Sequence, residues 1–503
     1  MRKEPIRHHY IPQFILRNFA CDSDRKVACY YDKESQSVSK CEMREVFMER
    51  NFYRDEINCK DKPVQIEHDL SVYEREVAEL IKAKFLDKRK IELTKEEDSM
   101  LKLFFAIMSL LPFVCLAQFD KYFEDASLRI DYSHSGRVGV EYFTIERFLH
   151  VPQWAGSKLN LVDTLGLGVH KVEMREKSSG KLLFSKGYCS LMEEWLTMPE
   201  AKNSCGNFQE VMLMPFPKVD VEIVFYTRDE RNEYKEISRF DFDKSLLEYV
   251  QKEELISAIS LHYAGESNRC LDVVIVPAGY SLQDKDKMYA DLKTCSEHLF
   301  SKPPFSDAKD KINVWTVERF DSQSGIPGLK TSKADFNDLG MHYNTFGSER
   351  YLMTEQLWNL HDEILGVAYD QIVILCNSDV YGGGGIYNFY ASTYVNKENG
   401  FVLVHEFGHS FAGLADEYSS NDSDAGMVSS EIEPWERNIT SMKDFSGKWG
   451  DMIEKDIPIP TPKTVEYENK VGVFEGAAYQ TKGMYRPYQD CLMRSDKPFC
   501  PVC

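Results

Sequence analysis

Three residues in one short stretch have the types and spacing of a hydrolytic metal site. They are His405, Glu406 and His409, inside FVLVHEFGHSFAGLADEY at residues 401–418. On an α-helix, residues four apart share a face, so both imidazoles can address one ion. Neutral imidazole suits Zn²⁺, and a catalytic zinc takes three protein ligands while keeping one position open for water. Glu406 then stands where a metallohydrolase keeps its general base. The pattern is short, and its surroundings give it weight. Phe401, Val402, Leu403, Val404 and Phe407 supply an apolar surface that would bury the helix. Gly413 offers a left-handed stop, and the acidic pair Asp416 and Glu417 follows at once.

Other chemistries fail on the same text. Gly408–Ala412 nearly spells the nucleophile elbow G-x-S-x-G, but Ala412 replaces the last glycine and Ser410 falls inside the helix. Gly166 and Gly168 lack the rest of a dinucleotide fingerprint, and YGGGGIYNFY at 381–390 lacks the G-K-[ST] of a phosphate loop. No cysteine carries a local peptidase signature. Lys and Arg number 61 against 81 Asp and Glu, a net charge of −20, so a basic nucleic-acid footprint is not expected.

The helix needs a platform, and the text around it supplies one. From Leu271 onward, LDVVIVPAGY, INVWTVERF and QIVILCN read as buried strands, separated by helical patterns at 284–299 and 349–366. Runs of Val, Ile and Leu alternating with helices predict a largely parallel sheet covered on both faces. The glycine-rich stretch just before the metal-site helix reads as an edge strand. Glycines let another backbone approach closely, so Gly383, Gly384 and Gly385 are the expected binding shelf for an extended peptide.

Further upstream, alternating segments such as VGVEYFTIERF and VDVEIVFYTRD, broken by Gly, Ser, Asn and Pro, predict an antiparallel β-sandwich accessory module at 128–245. Residues 246–267 read as a helical linker to the last domain, 268–503. Residues 1–126 form a separate α+β unit, with a capping box at Thr94 and Glu97 starting an apolar helix. Within it, LFFAIMSLLPFVCLA at 103–117 is shorter than the ~20 residues a membrane span needs, and Pro112 interrupts it, so a buried helix is expected. Thirteen cysteines are scattered through the chain. Three of them, Cys491, Cys500 and Cys503, cluster near one end; a C-x-x-C supplies two of the four ligands of a structural zinc, and no second pair is visible. An oxidising compartment would instead allow a local disulfide.

Taken together, DVVIVPAGY (272–280), YGGGGIYN (381–388), VHEFGHSFAGLADEY (404–418) and CLMRSDKPFCPVC (491–503) resemble the IgA-peptidase family of bacterial zinc metallopeptidases, a metzincin-like group. The segment opening with LRIDY at 128 resembles the N-terminal module these peptidases often carry. The opening HHYIPQFILRNF resembles a bacterial domain family of unknown function that begins H-x-x-P-Q-x-x-L-R-x-F. The resemblance implies a multidomain chain ending in an α/β metzincin-like peptidase domain, one Zn²⁺ per chain, and a protein or peptide substrate. Metzincins use H-E-x-x-H-x-x-G-x-x-H/D, and here the glycine-to-ligand spacing returns one residue late, as Gly413-x-x-Asp416. Asp416 is the implied third ligand, with Glu417 the alternative. Met493 fits the methionine turn beneath the metal, while the oxyanion-stabilising tyrosine is replaced by Ser495, leaving Tyr485, Tyr488 or Arg494 for that role. The competing functions are a catalytically idle peptidase fold and a zinc hydrolase of a non-protein substrate; the intact Glu406 argues against the first. The start of the chain shows basic residues without an apolar h-region, which points to the cytoplasm. The family resemblance points instead to export and the cell surface.

Overall fold

The computed structural model describes residues 119–328, 337–395, 400–419 and 430–503, together with four short strands upstream. The chain divides into two compact units, Met1–Val114 and Cys115–Cys503. In the first, β1 (His8–His9) pairs with β4 (Met48–Glu49), and β2 (Val27–Asp32) pairs antiparallel with β3 (Ser37–Glu42). The remaining features expected there, including the apolar stretch at 103–117 and the Thr94 capping box, lie outside the described residues. Among the described residues no helix is long and apolar enough to cross a membrane.

The second unit begins with two four-stranded sheets. One contains β5 (Phe123–Arg137), β6 (Val140–Pro152) and β9 (Gly206–Pro217). The other contains β7 (His170–Glu176), β8 (Leu182–Tyr188), β10 (Val221–Arg228) and β11 (Tyr234–Asp241). The strands named here run antiparallel to their neighbours among them, and Leu128, Ile130 and Tyr132 from one sheet meet Val172, Met174 and Phe225 from the other in a shared core. That is the layer solution available to strands with one apolar face each.

The linker departs from expectation. Residues 246–267 form no α-helix. Leu247–Tyr249 becomes β12, which pairs parallel with β6, and Ile259–His262 becomes β13, which pairs antiparallel with a strand of the next sheet. Its helical content is the end of one 3₁₀ turn, Lys244–Leu246, and a second 3₁₀ turn, Lys252–Glu254, preceded by Gln251. The charged run has the composition of a helix, but two sheet edges recruit its ends, and tertiary pairing overrides weak helical propensity.

The last sheet has six strands, ordered β13, β15 (Ile312–Thr316), β14 (Leu271–Ala278), β16 (Gln371–Cys376), β18 (Tyr390–Tyr394) and β17 (Gly383–Ile386). The four central strands are parallel; β13 and β17 are antiparallel edges. Every residue of β16 is buried, the pattern of a strand covered on both faces. One face packs on α2 (Lys285–Leu299) and α4 (Phe401–Ala412). The other face takes α3 (Leu357–Asp362), Leu339–Met341, Leu352 and Met353, and with them Leu191 and Met192 of α1 (Leu191–Thr197) from the sandwich side. The long helix expected over 349–366 is reduced to α3. Its first part is drawn out by strand-like bridges, His342 with Met353 and Tyr351 with Gly383. Polar contacts seal the junction with the sandwich: Arg129 bridges Asp131 and Asp362, and Trp358 donates to the Glu210 carbonyl. A hairpin of β19 (Phe474–Ala477) and β20 (Gln480–Arg486) completes the unit.

Candidate metal centre

Helix α4 forms where expected and for the expected reason. Val402, Leu403, Val404 and Phe407 are buried, and full burial of each such side chain is worth roughly 1.5–3 kcal/mol. Gly413 closes the helix with φ 62°, donating its amide to the carbonyl of His409. This left-handed residue turns the chain back beneath the helix, so that residues 414–418 run under the two histidines.

The turn brings Asp416 to them. His405 Nε2 and His409 Nε2 lie 3.1 Å and 3.3 Å from Asp416 Oδ1, and 3.2 Å from each other. Each ring is aimed from behind by its other nitrogen: His405 Nδ1 lies 3.0 Å from the Leu492 carbonyl and His409 Nδ1 2.5 Å from the Leu414 carbonyl. A carbonyl only accepts, so both Nδ1 atoms carry a proton, and in the neutral imidazole each Nε2 is left with a lone pair. Asp416 Oδ1, buried, has no hydrogen-bond partner despite the two close nitrogens. Two imidazole nitrogens and a carboxylate oxygen thus converge, a donor set that could hold a cation, with outer hydrogen bonds fixing each ring. The ligand atoms of His405, Glu406 and His409 also lie within 4.8 Å of one another.

The same three groups are also strongly coupled as charges. Burial opposes protonation of His409, but Asp416 and then Glu406 outweigh it and lift its pKa to about 9. Burial would raise the Asp416 carboxyl, yet the two imidazoles hold it well below the usual carboxylate range. Glu406 is half-buried on the same helix, and burial raises its pKa against the pull of His405 and His409. An upward shift makes an ionised carboxylate a stronger proton acceptor, the property a general base needs.

Glu417 goes elsewhere. Its carboxylate accepts from Asn438 Nδ2 at 3.1 Å and lies 3.1 Å from Cys503 Sγ. Met493 is fully buried below α4, and a Cβ on Gly408 would come 2.9 Å from its sulfur, so the glycine inside HEFGH leaves room for the methionine. The Met493 carbonyl also receives the Glu417 amide at 2.8 Å. Of the residues considered for oxyanion stabilisation, Tyr485 pairs with Glu475 in the hairpin and Arg494 reaches Asp490 at 3.3 Å. Tyr488 packs beside the core cluster that contains Met493.

The three glycines of β17 are explained first by packing. Any Cβ on Gly385 would collide with the Glu406 carbonyl oxygen, and Gly384 is covered by Met353 and the ring of Tyr351. At Gly383 the outer edge of the strand is taken, its amide bonding the Arg350 carbonyl and its carbonyl the Leu352 amide. The closely approaching backbone is thus the protein's own.

Residues with no motif complete the centre. Tyr479 donates to Asp416 Oδ2 at 2.5 Å, and Tyr418 lies 2.9 Å from the Tyr479 hydroxyl. Asn438 clamps Ala415 through both its amide and its carbonyl, each at 2.8 Å. Tyr381 lines the rim; burial and then the charge of Glu406 raise its pKa. Asn438 and Tyr479 come from parts of the sequence far from 401–418, and nothing in their local text marks them.

Comparison with known families bears on this geometry. The model of IgA Peptidase M64 matches residues 259–468 and 463–503. The model of its N-terminus matches residues 118–239. Residues 118–239 and 259–503 belong to the IgA peptidase family. Ahead of these, residues 7–110 match a protein family of unknown function, DUF4238. A search of curated proteins finds no match.

Proposed function

We propose that this IgA-peptidase family member is a zinc-dependent endopeptidase, with His405, His409 and Asp416 as the metal ligands and Glu406 as the general base. The observation that carries the reading is the convergence of two Nε2 lone pairs and an unpartnered buried carboxylate oxygen beside a half-buried glutamate. Two imidazoles and one carboxylate suit Zn²⁺ and leave a coordination position for the reaction. When bound there, zinc supplies Lewis acidity, polarising a scissile carbonyl and acidifying water.

The remaining steps belong to the chain. Glu406 accepts a proton from the attacking water and passes it to the leaving amine, which its raised pKa favours. Leu492 and Leu414 hold the imidazoles in the tautomer that offers Nε2, and Tyr479 fixes the Asp416 carboxylate through the oxygen that does not face them. Met493 forms the apolar floor. An extended peptide would lie along β17 near Gly385, beyond the covered Gly383 and Gly384, with Tyr381 at the rim. The sandwich supports the sheet from its far side.

The test is digestion of casein or a peptide library by the full chain, with and without a chelator, alongside Glu406→Gln. The variant is expected to keep its zinc and lose about 10²–10⁴-fold in turnover. Chelator-insensitive cleavage, or undiminished turnover by Glu406→Gln, would sink the assignment.

A further inference from the structure

Beneath the candidate centre lies a second convergence of metal-binding groups. Glu417, Cys491, Cys500 and Cys503 each direct one ligand atom to a common point, all within 4.8 Å of one another. Cys491 Sγ and Cys503 Sγ are 3.6 Å apart, Cys500 Sγ and Cys503 Sγ 3.5 Å, and Glu417 Oε1 and Cys503 Sγ 3.1 Å. With Zn–S near 2.3 Å, a tetrahedral thiolate site has S···S edges of about 3.8 Å, close to those seen here. A disulfide needs S–S of about 2.0 Å, and three sulfurs around one centre cannot all be satisfied by one.

The rest of the environment points the same way. Glu417 and Cys491 are fully buried and Cys500 nearly so. Glu417 Oε2 has no hydrogen-bond partner. Arg486, whose charge reaches Glu417, directs its donors to the carbonyls of Glu475, Gly476 and Gln489. A buried carboxylate among thiols, with one oxygen unpaired, is costly unless a cation joins it. Outer contacts are already in place: Asn438 Nδ2 holds Glu417 Oε1, and the Cys500 amide donates to Cys491 Sγ at 3.2 Å.

We propose that Glu417, Cys491, Cys500 and Cys503 form a second, structural zinc site. Binding releases the thiol protons, since the thiolates are the ligands. Four protein ligands close the coordination sphere, so this site has no position for water and no part in hydrolysis. Its role follows from connectivity. Glu417 adjoins Asp416, and Cys491 precedes Leu492 and Met493, whose carbonyls receive His405 and the Glu417 amide. A metal here locks the loop carrying the third ligand onto the segment that aims the first histidine and forms the floor.

The test uses the full chain purified under reducing conditions, with the double variant His405→Ala/His409→Ala to silence the other centre. That variant is expected to retain one zinc per chain by elemental analysis. Reloaded with cobalt, it should show near-ultraviolet thiolate-to-cobalt charge transfer. Adding Cys500→Ser and Cys503→Ser should abolish both. If that chain fails to fold, the cobalt spectrum of the histidine variant alone decides. A folded histidine variant that takes up no zinc, or one whose bound cobalt lacks the thiolate band, overturns the proposal. So does a cysteine-pair disulfide found by mass spectrometry in the freshly isolated reduced-handled chain. None of these outcomes bears on Glu406 or on proteolysis, so the second site stands or falls by itself.

Discussion

Gly385 offers a sharp test of how closely the metal helix is seated. The strand β17 and helix α4 meet backbone to backbone there. A Cβ at Gly385 would overlap the Glu406 carbonyl oxygen and stand 2.9 Å from its carbon, a range that real Cβ atoms almost never enter, and a tight 3.0 Å from His409 Cβ. Neither partner can rotate aside, because the obstacle is main chain. In Gly385→Ala the strand and helix must therefore part by about 1 Å, and overpacking of this kind costs about 1–3 kcal/mol. The strand has little freedom to absorb the shift. Its residues pair with Ser392 and Ala391 on one side, and Gly383 bonds Arg350 and Leu352 on the other. The displacement falls on α4, and His409 moves relative to Asp416, which is held from below by Tyr479. Metal sites tolerate misplacement of only about 0.5 Å, so zinc affinity should fall about 10–100-fold. Urea denaturation and competitive zinc titration read the two effects. The control is Gly450→Ala, whose Cβ would sit at an ordinary 3.5 Å from Phe445 and should change neither. If Gly385→Ala stays within about 0.5 kcal/mol of the parent and binds zinc equally well, the seating argument is wrong.

Other substitutions separate the parts of the site. Asp416→Ala should lose the zinc held by the two histidines, whereas Glu417→Ala should keep it, so zinc content measured in the Cys500→Ser/Cys503→Ser background discriminates the two carboxylates. Met493→Ala removes a fully buried side chain beneath Gly408 and should cost about 2–5 kcal/mol by chemical denaturation. In the sandwich, burial opposes charging of His134, but Glu210 and Glu141 raise its pKa from 6.5 to about 9. Its contribution, on the order of 3 kcal/mol, is complete below pH 6.5 and is lost as pH rises through about 9. Glu210 and Glu141 have lowered pKa values, so their contribution is present above 4.5 and is lost on acidification. Melting temperature should therefore decline between pH 6.5 and 9, and His134→Gln should flatten that decline; an unchanged slope would show that the pair does not control it.

Local pattern and long-range pairing explain what the sequence made legible. The metal helix was readable because its apolar run, its i, i+4 histidines and Gly413 all act within a few residues. The central strands were readable because burial on both faces demands continuous Val, Ile and Leu. Failures fell where a remote partner decides the conformation. Residues 349–356 look helical, yet Met353 and Tyr351 are claimed by His342 and Gly383. The 246–267 segment is divided between β6 and β15, strands lying about a hundred residues before it and about fifty after. Tyr479 and Asn438 reach the centre through the hairpin and a loop, with no spacing to reveal them. The glycines of β17 illustrate a subtler case. Their small size goes with the close approach of the chain's own backbone at Gly385, and periodicity cannot say whose backbone arrives.

The adjacent acids Asp416 and Glu417 show why one residue of spacing matters so much here. Asp416 faces the histidines, while its neighbour Glu417 faces Asn438 and Cys503. The same peptide unit is held from both ends, by the Ala478 amide on the Asp416 carbonyl and by the Glu417 amide on the Met493 carbonyl. Exchanging the two carboxylates' roles would need a half-turn of a clamped peptide, not a change of rotamer. The shifted spacing after Gly413 is thus a consequence of what lies beneath the loop. A loop anchored through Glu417 can offer only its neighbour to the two histidines, and so the carboxylate that reaches them is set by contacts on the face away from them.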